Sequence, residues 1–310
     1  MQPLTGLIPG FLQRIAEVNN GLEDLTAGQL VPFQVDGQRL GYLKQDFMQK
    51  LLQFPSVFVL QQQQQQAAGS SGQQTLTLAA EHATMQQRSD AVAGVLDILR
   101  KEQGMFKGWR DELYPVSAAF DSPPALLLER AAAPFFGIRA YGVHVNGYVV
   151  AADGSKKLWV ARRSKSKQTW PGKLDHIVAG GQPYGLSCAA NVAKECWEEA
   201  GIPAELAAAA APVGFVSYVS MSEEGLKPDV LLCYDLQLPE DFVPQPQDGE
   251  VEEFMLRDLE KVAATISSST EYKPNCCLVI IDFLVRHGLV APEEAGYFRM
   301  VWGLRAGDPL

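Results

Sequence analysis

Residues 180–202 read GGQPYGLSCAANVAKECWEEAGI. A glycine pair and a short polar loop lead into a run from about Ser187 to Ala200 that carries helical spacing, and Gly201 follows as a C-cap. Within that helix Glu195, Glu198 and Glu199 stand at i, i+3 and i+4, so their carboxylates leave one face and can converge. Three like charges that close repel one another unless a cation neutralises them, and hard oxygen donors select Mg²⁺, with Mn²⁺ as the alternative. Glutamates alone would also suit a solvated acidic helix face. The glycines weigh against that reading, because Gly180-Gly181 allows a backbone to come close just where the loop begins.

Outward from this segment the chain divides. On its N-terminal side IRAYGVHVNGYVV and KKLWVAR alternate as strands around Asp153-Gly154, a hairpin turn signal, and DHIVAGG is a further strand. VGFVSYV and VLLCYDLQL follow as strands, and a late helix with Leu278, Ile281, Leu284 and Val285 on its apolar side ends at His287-Gly288. Further upstream Leu7, Ile8, Phe11, Leu12, Ile15 and Val18 recur at helical spacing, Asp36-Gly37 marks a hairpin, FPSVFVL and TLTLAA read as strands, and Ser89 to Arg100 forms a helix. Gln61 to Gln66 run into AAGSSGQQ, a polar tract with too little apolar surface to order itself, so residues 61–74 are expected to be a flexible insertion. The expected division is an α/β domain over 1–134, a second domain over 135–290 and a C-terminal helix or tail over 291–310.

Composition narrows the function. A chain of 310 residues is long enough for two compact units. Lys+Arg 26 against Asp+Glu 36 leaves a net charge of -10, which argues against nucleic acid as the main partner. The five cysteines, Cys188, Cys196, Cys233, Cys276 and Cys277, are odd in number and lack C-x-x-C spacing, so a reducing compartment is expected. No apolar run reaches a membrane-spanning length of about 18 residues. The opening MQPLTGLIPGFLQRIAEVNN has neither a basic n-region nor the Arg/Ser bias of a transit peptide, so the cytoplasm is the expected location, with a plastid or mitochondrion left open.

The loop and helix resemble the Nudix box, G-x5-E-x7-R-E-U-x-E-E-x-G-U with U apolar. Gly180, Glu195, Glu198, Glu199, Gly201 and Ile202 fall in register. Leu186 stands where the box has its first Glu, Lys194 replaces the Arg, and Cys196 takes the first apolar position and should be buried. The flanks, including LWVARRSKSKQTWPGKLDHIVAGG and KPDVLLCYDLQLPEDFVPQPQDGEVEEF, look like a Nudix subfamily related to thiamin pyrophosphokinase. Its extra N-terminal domain is matched by GQRLGYL, GWRDELYPV and LLLERAAAPFFGI. The resemblance implies an α/β/α sandwich with a mixed sheet, preceded by a small α/β domain. It also implies Mg²⁺-dependent hydrolysis of thiamin diphosphate or its oxidised analogues to the monophosphate. Glu195, Glu198 and Glu199 would then be catalytic and would hold the metal, joined by the Gly180 carbonyl and by a downstream acid, Glu250, with Glu252 as its rival.

Other residues are weaker candidates. Arg162, Arg163, Lys165 and Lys167 form a basic loop ahead of Trp170-Pro171-Gly172, suited to phosphate oxygens or simply to water. Lys194 joins this substrate-binding set as the cation beside the glutamates. His144 and Asn146 alternate on one strand and suit a ligand or water, with a satisfied structural histidine the commoner role, and His176 beside Asp175 reads the same way. Trp109 and Arg110 suit either a heterocycle or the core. The expected partner is a small-molecule diphosphate, with no nucleic acid and no membrane, and a homodimer is left open. Two other functions remain: a Nudix fold that binds a diphosphate without cleaving it, and, ranked last because no G-x-x-x-x-G-K-[ST] loop exists, a thiamin diphosphokinase-like transferase.

Overall fold

A computed structural model describes residues 4–62 and 74–307. Most of the expected insertion at 61–74 therefore lies outside the described residues. The chain groups into two units, one of residues 20–140 with 219–228, the other of residues up to 19 with 141–218 and 229–307. Among the described residues no helix is long and apolar enough to cross a membrane.

Helix α1 (Ile8–Val18) opens the chain and belongs to the second unit. The first unit contains α2 (Leu22–Thr26), β1 (Val31–Val35), β2 (Gln38–Leu43), α3 (Gln45–Leu51), β3 (Phe58–Gln62), β4 (Gln74–Leu78), α4 (Met85–Gln103), β5 (Leu113–Val116), β6 (Leu126–Glu129) and α5 (Ala133–Phe136). Its larger sheet has the order β2-β1-β4-β3. Asp36 and Gly37 take the positive φ of 52° and 77° that a tight hairpin between β1 and β2 demands. Helix α4 is held at its start by a capping box, in which Thr84 Oγ1 accepts from Gln87 N at 3.2 Å and Gln87 Oε1 accepts from Thr84 N at 3.1 Å. Phe33, Phe58, Leu96, Leu99 and Phe136 fill the core between helix and sheet. Trp109 packs against that core with the Arg100 guanidinium 4.2 Å over its ring, and its Nε1 donates to Asp111, so the indole is engaged within its own unit.

The second unit follows with β7 (Ala140–Val150), β8 (Lys156–Arg163), β9 (Leu174–Asp175), β10 (Val178–Gly181), α6 (Cys188–Ala200), α7 (Ala204–Ala207), β11 (Ala211–Met221), β12 (Leu226–Gln237), β13 (Val251–Asp258), α8 (Leu259–Ser268), α9 (Pro274–Arg286) and α10 (Tyr297–Gly303). Its sheet runs β11-β12-β7-β8-β13, with β10 added to β7 and β9 to β8. Side-chain alternation splits two cores. Val143, Val145, Trp159, Tyr234 and Leu236 meet Val192, Cys196 and Ala200 of α6 on one face. Leu158, Val160, Leu231 and Cys233 meet α1, α8, α9 and Met300 of α10 on the other. Helices covering both faces make this an α/β/α sandwich, preceded by a small α/β unit.

Three expectations are corrected. The first helix does not belong to the N-terminal domain: Ile8, Phe11, Ile15 and Val18 are buried in the second unit, because α8, α9 and α10 supply the apolar face that the helix's own stripe needs. The expected C-terminal helix is present as α10 but is not separate from the second unit, since Met300 and Leu304 join the same core. His144 and Asn146 do not face water. They are 4% and 1% exposed, because the central strand β7 is roofed by helices on both sides.

Candidate active site

The glutamates owe their convergence to two fixed ends. Ser187 caps α6 by accepting from Ala190 N at 3.2 Å, and Gly201, at φ 62°, closes it in the left-handed conformation. Before the helix, the 182–187 loop is pinned from inside. Asn191, fully buried on α6, donates to Gly181 O at 2.7 Å and to Gln182 Oε1 at 3.1 Å, and Gln182 Nε2 donates to Leu186 O at 2.6 Å. The residue at the first Glu position of the box thus contributes only its carbonyl to this clamp. Neither Asn191 nor Gln182 stood out in the sequence. A polar residue on the apolar side of α6 was the available signal.

Gly180 lies directly under the helix. A Cβ placed there would stand 2.3 Å from Glu195 Cδ and 2.5 Å from its Oε1, so only glycine leaves room for that carboxylate. Glu199 reaches back to the same strand, where its Oε2 accepts from Ala179 N at 2.8 Å. Burial, together with the negative charges of Asp175, Glu195 and Glu250, pushes the Glu199 carboxyl well above its usual range, against the pull of that N–H. Lys194 Nζ bridges Glu195 Oε1 at 3.1 Å and Glu198 Oε2 at 2.8 Å. Although partial burial acts the other way, these carboxylates hold its ammonium above its ordinary range.

Of the two rival acids, Glu250 is the one whose charge is felt at Glu199. It is half-buried just before β13 and pairs with Lys167. Glu252 is exposed at the register shift between Val251 and Glu253 in the pairing of β13 with β8. The basic loop is more internally committed than its sequence suggested. Arg162 pairs across the sheet with Glu253 at 2.7 Å. Arg163 directs its guanidinium to Asp175 Oδ2 at 2.8 Å and to the carbonyls of Thr169 and Trp170, so it shapes the loop from within. Lys165 is exposed.

Behind the strand lies a second cluster. His144 of β7 and His176, just after β9, meet edge to face with ring centroids 5.0 Å apart, and both are buried. Burial holds the His176 pKa down to about 4 and that of His144 well below its usual value, so both rings are neutral. Cys276 Sγ, in the first turn of α9, donates to Asp175 Oδ1 at 2.6 Å, and burial with the Asp175 charge pushes this thiol well up. Asp175 itself, despite its burial, is held far below the carboxylate range by Lys273 and Arg163.

Residues 141–274 match the NUDIX domain family, and residues 10–140 match a domain of unknown function, DUF4743. The chain is 47% identical to Nudix hydrolase 20, chloroplastic, of Arabidopsis thaliana over 97% of its own length and 79% of that protein's. It is 45% identical to Nudix hydrolase 24, chloroplastic, of the same plant, over the same shares of each chain. A MutT protein of Methanosarcina mazei Go1 matches 48% of this chain and 96% of its own, with 20% identity and a TM-score of 0.38.

Proposed function

The chain belongs to the Nudix hydrolase family, and on that premise we propose that this pyrophosphohydrolase cleaves thiamin diphosphate or its oxidised analogues to the monophosphate in a Mg²⁺-dependent reaction. The observation that carries the metal assignment is the Gly180 cradle, which seats the Glu195 carboxylate beside Glu199 in a cluster of like charges that a cation would relieve. Glu195, Glu198, Glu199 and Glu250 would hold the ion together with the Gly180 carbonyl. Mg²⁺, with Mn²⁺ as the alternative, would there supply positive charge to stabilise a diphosphate and acidify a water.

The protein's own part is placement. Asn191 and Gln182 keep the loop closed over the helix start, so the carboxylates hold their spacing while substrate enters. Lys194 and Lys165 are the cations proposed to meet phosphate oxygens, with Arg162 and Arg163 in support. Lys194, which bridges Glu195 and Glu198, would be released toward a phosphate if those carboxylates held an ion. The thiamin substrate rests on the flanking segments named above, among them LWVARRSKSKQTWPGKLDHIVAGG. The two Arabidopsis relatives are named as chloroplastic, which favours an organelle over the cytoplasm for this chain too. Imaging of a tagged full chain that finds it only in the cytosol would remove that reading.

A panel of diphosphates, with and without Mg²⁺, tests the reaction. Oxidised thiamin diphosphate should be turned over fastest, and Glu198→Gln and Glu199→Gln should each lose on the order of 100-fold or more in kcat. Unchanged turnover in both variants sinks the metal assignment. Binding without turnover of any panel member would favour the diphosphate-binding module that Leu186 and Lys194 suggest.

A further inference from the structure

We propose that His144, His176 and Cys276 form a buried binding site for a borderline-soft divalent cation, zinc above all, separate from the glutamate cluster and independent of which diphosphate the enzyme cleaves. The ligand atoms of the three side chains lie within 4.8 Å of one another. Tetrahedral zinc spaces its ligands about 3.3–3.8 Å apart, so a contraction on the order of 1 Å closes the site. The three residues are 4%, 3% and 0% exposed.

The second observation is unsatisfied chemistry. His144 Nδ1 and both ring nitrogens of His176 have no hydrogen-bond partner among the described residues. Buried polar atoms are rarely left so, and one nitrogen from each ring can be received by a single ion. The donor set, two neutral imidazoles and a thiol, selects zinc over Mg²⁺, which prefers oxygen. Asp175 Oδ1 accepts the Cys276 thiol hydrogen at 2.6 Å, while its Oδ2 stays with Arg163 at 2.8 Å and Lys273 at 3.5 Å.

Binding breaks the S–H bond of Cys276 and forms a sulfur–zinc bond, and the proton passes by Asp175 to solvent, one per ion bound. The ligands come from β7, the segment after β9, and α9, which are distant in sequence. The ion would therefore staple together the strand that leads into Gly180 and the helix roof behind it.

The full chain, dialysed against excess Mg²⁺, should retain one zinc per molecule by elemental analysis. Cobalt(II) in its place should give thiolate-to-cobalt charge-transfer absorption and release one proton per ion. Cys276→Ser should abolish that absorption, whereas Cys277→Ser, its neighbour in sequence, and Glu198→Gln should keep it. A wild-type chain that takes up cobalt without a thiolate band, or takes up neither metal, overturns the proposal whether or not Cys276→Ser folds. A band that survives in Cys276→Ser also overturns it.

Discussion

At Gly180 the backbone of β10 comes so close to α6 that a single methyl group would meet the Glu195 carboxylate. Its Cβ would fall 2.3 Å from Glu195 Cδ, but the atoms it meets are the far end of a long side chain that can swing away. Gly180→Ala should therefore leave the urea midpoint nearly unchanged while kcat drops on the order of 100-fold, because a carboxylate displaced by about 1 Å no longer meets its partners. An alanine variant with full activity would show that Glu195 need not sit there. The register of Gly180, Glu195, Glu198, Glu199 and Gly201 was legible in the sequence, since spacing along one helix and its cap is a local property. The clamp made by Asn191 and Gln182 was not, because both partners' burial depends on how the loop folds back over the helix.

Helix α9 shows what an element adds. Asp235 of β12 receives Arg286 Nη1 at 2.6 Å and His287 Nε2 at 3.0 Å, and Arg286 Nε also reaches Asp282 at 2.6 Å. Lys156 Nζ can only donate to His287 Nδ1, 2.8 Å away, so the ring's proton sits on Nε2 and points at Asp235. Burial alone would raise the Asp235 carboxyl, but the hydrogen bonds from His287 and Arg286 hold it down to about 2. The folded value lies below the ordinary 3.8, so this stabilisation is complete above that pH and is lost as pH falls from there toward 2. At about 1.4 kcal/mol per pKa unit it amounts to roughly 2 kcal/mol. Unfolding free energies measured across that window should fall more steeply for the wild type than for Asp235→Asn, and equal slopes would refute the assignment. The helix was readable from its apolar spacing and its His287-Gly288 stop. Its tie to β12, 51 residues away in sequence, was not.

At the scale of the molecule, α1 ties the chain's beginning to its end. Phe11 is fully buried and Ile8 is 1% exposed, in the core built by α8 and α9. Arg14 adds a hydrogen bond to Ser269 O at 3.2 Å. Phe11→Ala should cost about 3–5 kcal/mol of stability in the second unit, and a fragment starting at residue 135 should lose hydrolase activity on mild heating. A fragment as heat-resistant as the full chain would contradict this. By itself the sequence determined what short-range chemistry determines: the loop-helix segment with its convergent carboxylates, the hairpin turns, the alternation of β7 and the stripe of α1. Only the tertiary structure decided which face each stripe meets, that β7 is roofed on both sides and so hides His144 and Asn146, and that Arg163 turns inward to Asp175. The reason is physical: periodicity records that a side is apolar, whereas burial and ion pairing depend on partners brought from far along the chain.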